Sequence, residues 1–359
     1  RMDSHLQRAL IILIVTHSLV AACGAPPPTA TAPPPTATAV PPAASAPTPE
    51  ATFGPKITED AVIHARIPYV PGGDIQQKLS VYLPAGEESG SGALVPVVVL
   101  AHGLGSGKED PPLGETMRFL NQLGIAAVTV DYRDSGASGN PWTSHNDAAC
   151  GLAWVYANAD EYGLDLDRMA AFGNSYGAQM LTDLALAPDP NLFLTDCPNR
   201  LPRAEPFRGV IPFGAAWFGV PGEGLLIPSE EGANIHRFIG GADTLEEMLA
   251  IHEELARLPP AEWATSGELS PEARAFGQTL PAYWVHAGGP PFLLLYPGQD
   301  HNPQIEYDAF AALLEEAEVP YTYLVLPDAQ HSAWGPFGET DPATWQEPIQ
   351  QFLEEIYAE

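Results

Sequence analysis

Where residue type and spacing first suggest chemistry is Gly173 Asn174 Ser175 Tyr176 Gly177, a serine held between two glycines. A hydroxyl is a weak nucleophile at neutral pH, so it needs a base to take its proton and a third group to orient that base. The five-residue pattern alone carries little, because chance matches are common. Its setting carries more: the apolar run Met169 to Phe172 leads in, and a helical pattern, Tyr176 to Ala187, leads out. A nucleophile on a strained turn needs such a strand–turn–helix context, with glycines where backbone approaches backbone. The helix amino terminus beside Ser175 would favour developing negative charge. A serine that merely caps the helix is the competing reading.

The two partners are expected after Ser175, at the carboxyl ends of later strands, in the order acid then histidine. Asp300 follows the apolar run Phe292 to Tyr296 through Pro297 Gly298 Gln299, and His331 follows Tyr321 to Leu326 through Pro327 Asp328 Ala329 Gln330. His301 competes as base, but its neighbouring position is expected to send its ring in a different direction from Asp300. Asp308 sits in a helical pattern and Asp328 lies three residues from His331, so both fit the acid role less well than Asp300. Acyl transfer also needs oxyanion donors, expected from the backbone N–H of Tyr176 and from Gly103 or Leu104 in the loop His102 Gly103 Leu104 Gly105. His102 is read as a residue that packs this loop.

The elements that must position these groups alternate. Strands are expected at Ala61 to Val70, Ile75 to Leu83, Val95 to Ala101, Ile125 to Val130, Arg168 to Phe172, Gly209 to Phe213, Phe292 to Tyr296 and Tyr321 to Leu326. The first two suit an opening hairpin, and Val95 to Ala101 is apolar throughout, as a strand buried on both faces is. Helical patterns lie at Glu115 to Leu123, Asn146 to Tyr162, Ser175 to Ala187, Tyr307 to Ala317 and Trp345 to Tyr357. This order predicts an α/β fold with a mainly parallel, doubly wound sheet whose ligands meet the carboxyl ends of the strands. Residues 219–289, after the sixth strand, carry helical stretches at Leu245 to Leu258 and Pro271 to Phe276 and are expected to form a partial lid. Their aromatic residues Trp263, Tyr283 and Trp284 are read as core before substrate contacts.

Composition narrows the function classes. The chain of 359 residues carries 45 acidic and 15 basic side chains, a formal net charge of -30. Such a surface repels phosphate backbones, so a nucleic-acid partner is not expected. Residues 1–23 read as an export signal: Arg1 and Arg8 precede an apolar stretch too short to span a bilayer, Met2 is the expected start, and the run closes on Leu19 Val20 Ala21 Ala22 Cys23. Small residues before a cysteine resemble the lipobox of bacterial lipoproteins, which implies lipidation of Cys23, an extracytoplasmic location and contact with a membrane through that anchor only. Residues 24–56 are almost entirely Pro, Ala and Thr and are expected to form an extended stalk that cannot build a core. The catalytic domain is then 57–359.

Taken with these residues, the stretches Val81 Tyr82 Leu83 Pro84, Val130 Asp131 Tyr132 Arg133, Tyr162 Gly163 Leu164 Asp165, Pro290 Pro291 Phe292 Leu293 and Val319 Pro320 resemble the bacterial feruloyl-esterase-like carboxylesterases. These are relatives of the hormone-sensitive-lipase group and of the prolyl-oligopeptidase catalytic domain. The resemblance implies an α/β-hydrolase fold and a serine carboxylesterase acting on short-chain acyl or aryl esters. Two departures stand out: the family's three-glycine oxyanion loop is here Gly103 Leu104 Gly105, and the residues after the serine are Tyr176 Gly177 Ala178, which leans towards the peptidase relatives. A serine exopeptidase and a polyester hydrolase therefore stand as alternatives, and a non-catalytic binding protein would be expected to lack one of the three residues. The ten histidines form no metal-ligand spacing, so no metal and no cofactor is expected. Cys150 and Cys197 are the other two cysteines, a disulfide candidate if the chain is exported, or else two buried thiols.

Overall fold

The structure, a computed structural model, describes residues 62–85, 94–104, 111–133, 142–215, 244–258, 260–263, 265–302, 304–331, 341 and 343–358. The expected signal, Cys23, the stalk, Gly105 and residues 219–243 of the insertion lie outside the described residues.

Eight strands form one sheet: β1 (Val62–Pro68), β2 (Lys78–Leu83), β3 (Val95–Ala101), β4 (Ala126–Val130), β5 (Leu164–Asn174), β6 (Val210–Phe213), β7 (Phe292–Gln299) and β8 (Tyr321–Gln330). Their spatial order is β1-β2-β4-β3-β5-β6-β7-β8. The β1–β2 and β2–β4 pairs are antiparallel and the rest are parallel, so the expected hairpin opens an otherwise parallel sheet. The helices are α1 (Pro111–Gln122), α2 (Trp142–Tyr162), α3 (Tyr176–Leu186), α4 (Leu245–Leu255), α5 (Pro260–Trp263), α6 (Pro271–Gly277), α7 (Gln304–Glu316) and α8 (Ala343–Ala358).

A strand's side chains alternate between faces, so a central strand covered on both sides must be apolar throughout. In β3, Val95, Val97, Val99 and Ala101 enter one core with residues of α2, α3 and α7. Val98 and Leu100 enter the other, with Leu113 and Leu120 of α1 and Ile349 and Leu353 of α8. Each face of the sheet thus has its own helical layer, which is the doubly wound arrangement.

Three strands run beyond the apolar stretches expected of them. β5 starts at Leu164, while β7 and β8 continue to Gln299 and Gln330. Backbone pairing continues there although the side chains become exposed, since the ladder uses N–H and C=O groups that every non-proline residue carries. The described part of the insertion packs against α3 and its face of the sheet: the Gln179 side chain of α3 donates to the Thr279 carbonyl, and Trp263, Tyr283 and Trp284 are all buried in the same core. These three aromatics are core, as expected.

Candidate active site

Strand pairing brings the site together before any side chain acts. Ala101 of β3 pairs with Gly173 of β5, so the loop beginning at His102 emerges beside Asn174 and Ser175. Gln299 pairs with Gln330, so the next residue on each strand, Asp300 and His331, must be neighbours. The polar extensions of β7 and β8 therefore juxtapose the carboxylate and the imidazole.

Ser175 sits between β5 and α3 with φ 52° and ψ -123°, in the positive-φ region that costs a non-glycine residue on the order of 1–3 kcal/mol. Its neighbours explain how so tight a turn forms. A Cβ on Gly173 would strike the backbone of Ala178, and one on Gly177 would strike the carbonyl oxygens of Ala101 and His102. Both positions demand glycine because backbone approaches backbone there.

The Ser175 hydroxyl lies 2.7 Å from Nε2 of His331, and Nδ1 of His331 lies 2.8 Å from Oδ1 of Asp300. The Asp300 side chain is fully buried, and its Oδ1 also accepts from the Asn302 N–H at 2.9 Å. With Nδ1 donating to the carboxylate, Nε2 is left to accept from the serine. Asp308 and Asp328 take no part in this relay.

Gly103 lies against the serine: a Cβ built there would sit 3.1 Å from Cβ and 3.7 Å from Oγ of Ser175. Its loop is braced from below. The Tyr132 hydroxyl donates to the His102 carbonyl at 2.7 Å, the two rings stack at 4.3 Å, and Nε2 of His102 stands 3.4 Å from Asp131. His102 thus packs the loop, in keeping with its expected role. Tyr176 occupies the first position of α3, where the backbone N–H has no partner within the helix. Leu104 is half-buried against the same core.

Residues that sequence reasoning missed complete the assembly. Asn174 donates to the His331 carbonyl at 2.8 Å and to the Phe213 carbonyl at 3.3 Å, tying the histidine to the elbow. Gly214, at φ +63°, leaves room for the pair: a Cβ there would lie 3.3 Å from Nδ1 of His331 and 3.4 Å from Oδ2 of Asp300. Beneath them the buried Tyr307 hydroxyl donates to Leu295 and accepts from Ala215, and burial, with Asp300 nearby, pushes its pKa well up. A signal for Asn174 was present in the elbow's first variable position, but nothing in the pattern says what that side chain does.

One expectation needs correction. The His301 ring does not turn away from Asp300; its Nδ1 stands 3.6 Å from Oδ1, and its centroid is 4.0 Å from that of His331. The backbone turns after β7, so adjacency in sequence does not separate the two side chains. As a result Asp300, His301 and His331 form a cluster with metal-ligating capacity, their donor atoms all within 4.8 Å of one another. A search for histidines at regular spacing cannot find it, because one member lies thirty residues along the chain.

Cys150 of α2 and Cys197 are joined in a disulfide with Cα atoms 5.5 Å apart. Close by, Nε2 of His145 lies 2.7 Å from Asp183 of α3, both side chains fully buried, and burial raises the Asp183 pKa well above the usual carboxylate range.

Comparison with solved structures places this architecture. The chain overlays on esterase B from Lactobacillus rhamnosis with a TM-score of 0.62 and 17% identity, covering 84% of this chain and 89% of that one. It overlays on the truncated form of a carbohydrate esterase from gut microbiota with a TM-score of 0.60 and 14% identity, covering 85% and 100%. The fold is that of the α/β-hydrolases. Residues 79–207 match the BD-FAE family model. A protein of Mycobacterium tuberculosis named "Probable carboxylic ester hydrolase LipM" is 27% identical over 248 residues, 67% of this chain and 49% of that protein. Esterase LipQ of the same organism is 25% identical over 270 residues, 74% of this chain and 56% of that one. The chain thus spans about half the length of the curated relatives it matches.

Proposed function

We propose that this chain is a serine carboxylic ester hydrolase of the EC 3.1.1 type that works through an acyl-enzyme on Ser175. The observation that carries this reading is the unbroken relay from Ser175 Oγ to His331 to the buried Asp300. In the proposed reaction Ser175 attacks the ester carbonyl while His331 takes its proton through Nε2, and Asp300 stabilises the imidazolium without itself becoming protonated. The N–H groups of Tyr176 and of Gly103 or Leu104 receive the oxyanion. His331 then returns the proton to the departing alkoxide or phenolate, and water, deprotonated by the same nitrogen, releases the acid. The named relatives and the BD-FAE match support an ester as substrate.

The proposed substrates are neutral esters with short acyl groups or aryl parts, acetyl or feruloyl-type. The net charge of -30 disfavours anionic substrates near the cleft. The Tyr176 Gly177 pair favours a second reading, an exopeptidase, and a polyester hydrolase shares the same machinery. An amine leaves less readily than an alkoxide, so the two chemistries separate on matched substrates. The test is kcat/KM on nitrophenyl acetate, butyrate and dodecanoate beside aminoacyl anilides. Short esters should lead, and Ser175→Ala should lower their turnover by at least about a thousandfold. Anilides hydrolysed better than esters would replace the reading with the peptidase.

We further propose that the chain is exported and held at the extracytoplasmic face of a bacterial membrane by lipid on Cys23. Support comes from the Cys150–Cys197 disulfide, a bond that persists in oxidising compartments. Among the described residues no helix is long and apolar enough to cross a membrane, so an anchor would have to come from elsewhere. Cys23→Ser should abolish incorporation of labelled fatty acid; incorporation that survives it would remove Cys23 from the account.

A further inference from the structure

The Asp300, His301 and His331 cluster offers one carboxylate oxygen and two imidazole nitrogens, all within 4.8 Å of one another. Its members differ in access. The Asp300 side chain is fully buried and that of His331 is 18% exposed, whereas that of His301 is 64% exposed. The carboxylate has acceptor capacity left, because its Oδ2 is buried without a hydrogen-bond partner among the described residues.

This donor set selects a class of ligand. Calcium and magnesium prefer all-oxygen shells, while two imidazoles and a carboxylate suit zinc or copper(II). Donors around tetrahedral zinc at about 2.0–2.1 Å stand roughly 3.3 Å apart. His301 Nδ1 already lies 3.6 Å from Asp300 Oδ1, and the His331 Nδ1–Asp300 Oδ1 pair, now 2.8 Å apart, opens by about 0.5 Å to admit the ion.

We propose that Asp300, His301 and His331 form an inhibitory site for a borderline divalent cation, Zn2+ above all, which captures the triad histidine in an idle state. The cation bonds to the lone pairs of His301 Nδ1 and His331 Nδ1 and to the Asp300 carboxylate, and the ring proton of His331 moves from Nδ1 to Nε2. No proton is gained or lost in that exchange. Nε2 then carries a hydrogen and cannot accept one from Ser175, so the base is disabled while the fold stays intact. Metal binding stands on the geometry alone; only the inhibition rests on the proposed ester chemistry.

Equilibrium dialysis of the full chain against Zn2+, in an excess of Mg2+ to occupy surface carboxylates, tests the site, and electron paramagnetic resonance of Cu2+ reads nitrogen coordination directly. The wild type and Ser175→Ala should each hold one Zn2+ above the weak background. His301→Ala and His301→Gln should weaken that binding at least about tenfold and remove one nitrogen from the Cu2+ signal. Ester hydrolysis by the wild type should fall with the same Zn2+ dependence and return with a chelator. Each His301 variant, measured against its own metal-free rate, should need at least about tenfold more Zn2+ for the same inhibition. Binding unchanged in both His301 variants would overturn the site, and binding that is lost with His301 but never inhibits would overturn the inhibitory role. If no protein hydrolyses any ester while His301-dependent binding holds, the metal site stands and the reading of Ser175 falls.

Discussion

Asn174 provides the sharpest test of whether the elbow and the histidine are mechanically coupled. Its side chain is buried and donates to the carbonyls of His331 and Phe213. Asn174→Ala removes both bonds with unequal consequences. The Phe213 carbonyl keeps the Ser175 N–H at 2.9 Å, so among the described residues only the His331 carbonyl is left without a donor. An acceptor left without its partner costs about 1–3 kcal/mol when fully buried, which is the upper limit for this part-buried bond. Were all of it to appear in the barrier, at a factor of ten for each 1.4 kcal/mol, kcat would fall by about 5- to 150-fold. KM should change little, because the Asn174 side chain is buried and its amide is taken up by the His331 and Phe213 carbonyls. Asn174→Asp keeps the shape but, ionised, has no donor and sets a charge against two carbonyl oxygens, so it should be slower than alanine. Steady-state kinetics of the three proteins on nitrophenyl acetate, with thermal melts alongside, decide the matter. A lowered melting temperature with wild-type kcat would show that the bond supports the fold without orienting His331, and an aspartate variant as fast as wild type would refute the coupling.

The other perturbations act further from the relay. Tyr132→Phe deletes the bond to the His102 carbonyl while keeping most of the stacking, and should lower kcat on short esters by roughly 5-fold at the net value of about 1 kcal/mol per bond; unchanged kcat would release the loop from that brace. Cys150→Ser together with Cys197→Ser should cost about 2–4 kcal/mol in denaturant melts, since the bridge spans a sequence separation of 47; equal midpoints for bridged and unbridged protein would show that it contributes nothing. Asp183 has a raised pKa in the fold, so its favourable contribution is present below the unfolded value of about 3.9 and is lost as pH rises through the folded value. The melting temperature of Asp183→Asn minus that of wild type should therefore climb with pH across that window and then level off. A difference that falls with pH would mean that His145 holds Asp183 as an ion pair.

How far the sequence could be read depended on which physical signal each residue leaves. Strand β3 was visible over its whole length because burial on both faces makes every residue apolar. Ser175, Asp300 and His331 were visible because each follows an apolar strand. The ends of β7 and β8 were not, since pairing out to Gln299 and Gln330 is a backbone event that leaves no hydrophobic mark. For the same reason the register that makes Asp300 and His331 neighbours is seen only in the fold. The direction of the His301 ring depends on how the chain turns after β7, and the tasks of Asn174 and Gly214 depend on carbonyls and side chains from distant segments.

The central claim is that Ser175, activated by His331, is the nucleophile. Its most direct test is titration with a fluorophosphonate that leaves a covalent phosphonyl group, read by intact mass and peptide mapping. The account predicts one adduct per chain, on Ser175, forming in step with loss of ester hydrolysis, and absent from both Ser175→Ala and His331→Ala. Stoichiometric labelling of another residue, or full hydrolysis by a chain whose Ser175 is wholly modified, would contradict it.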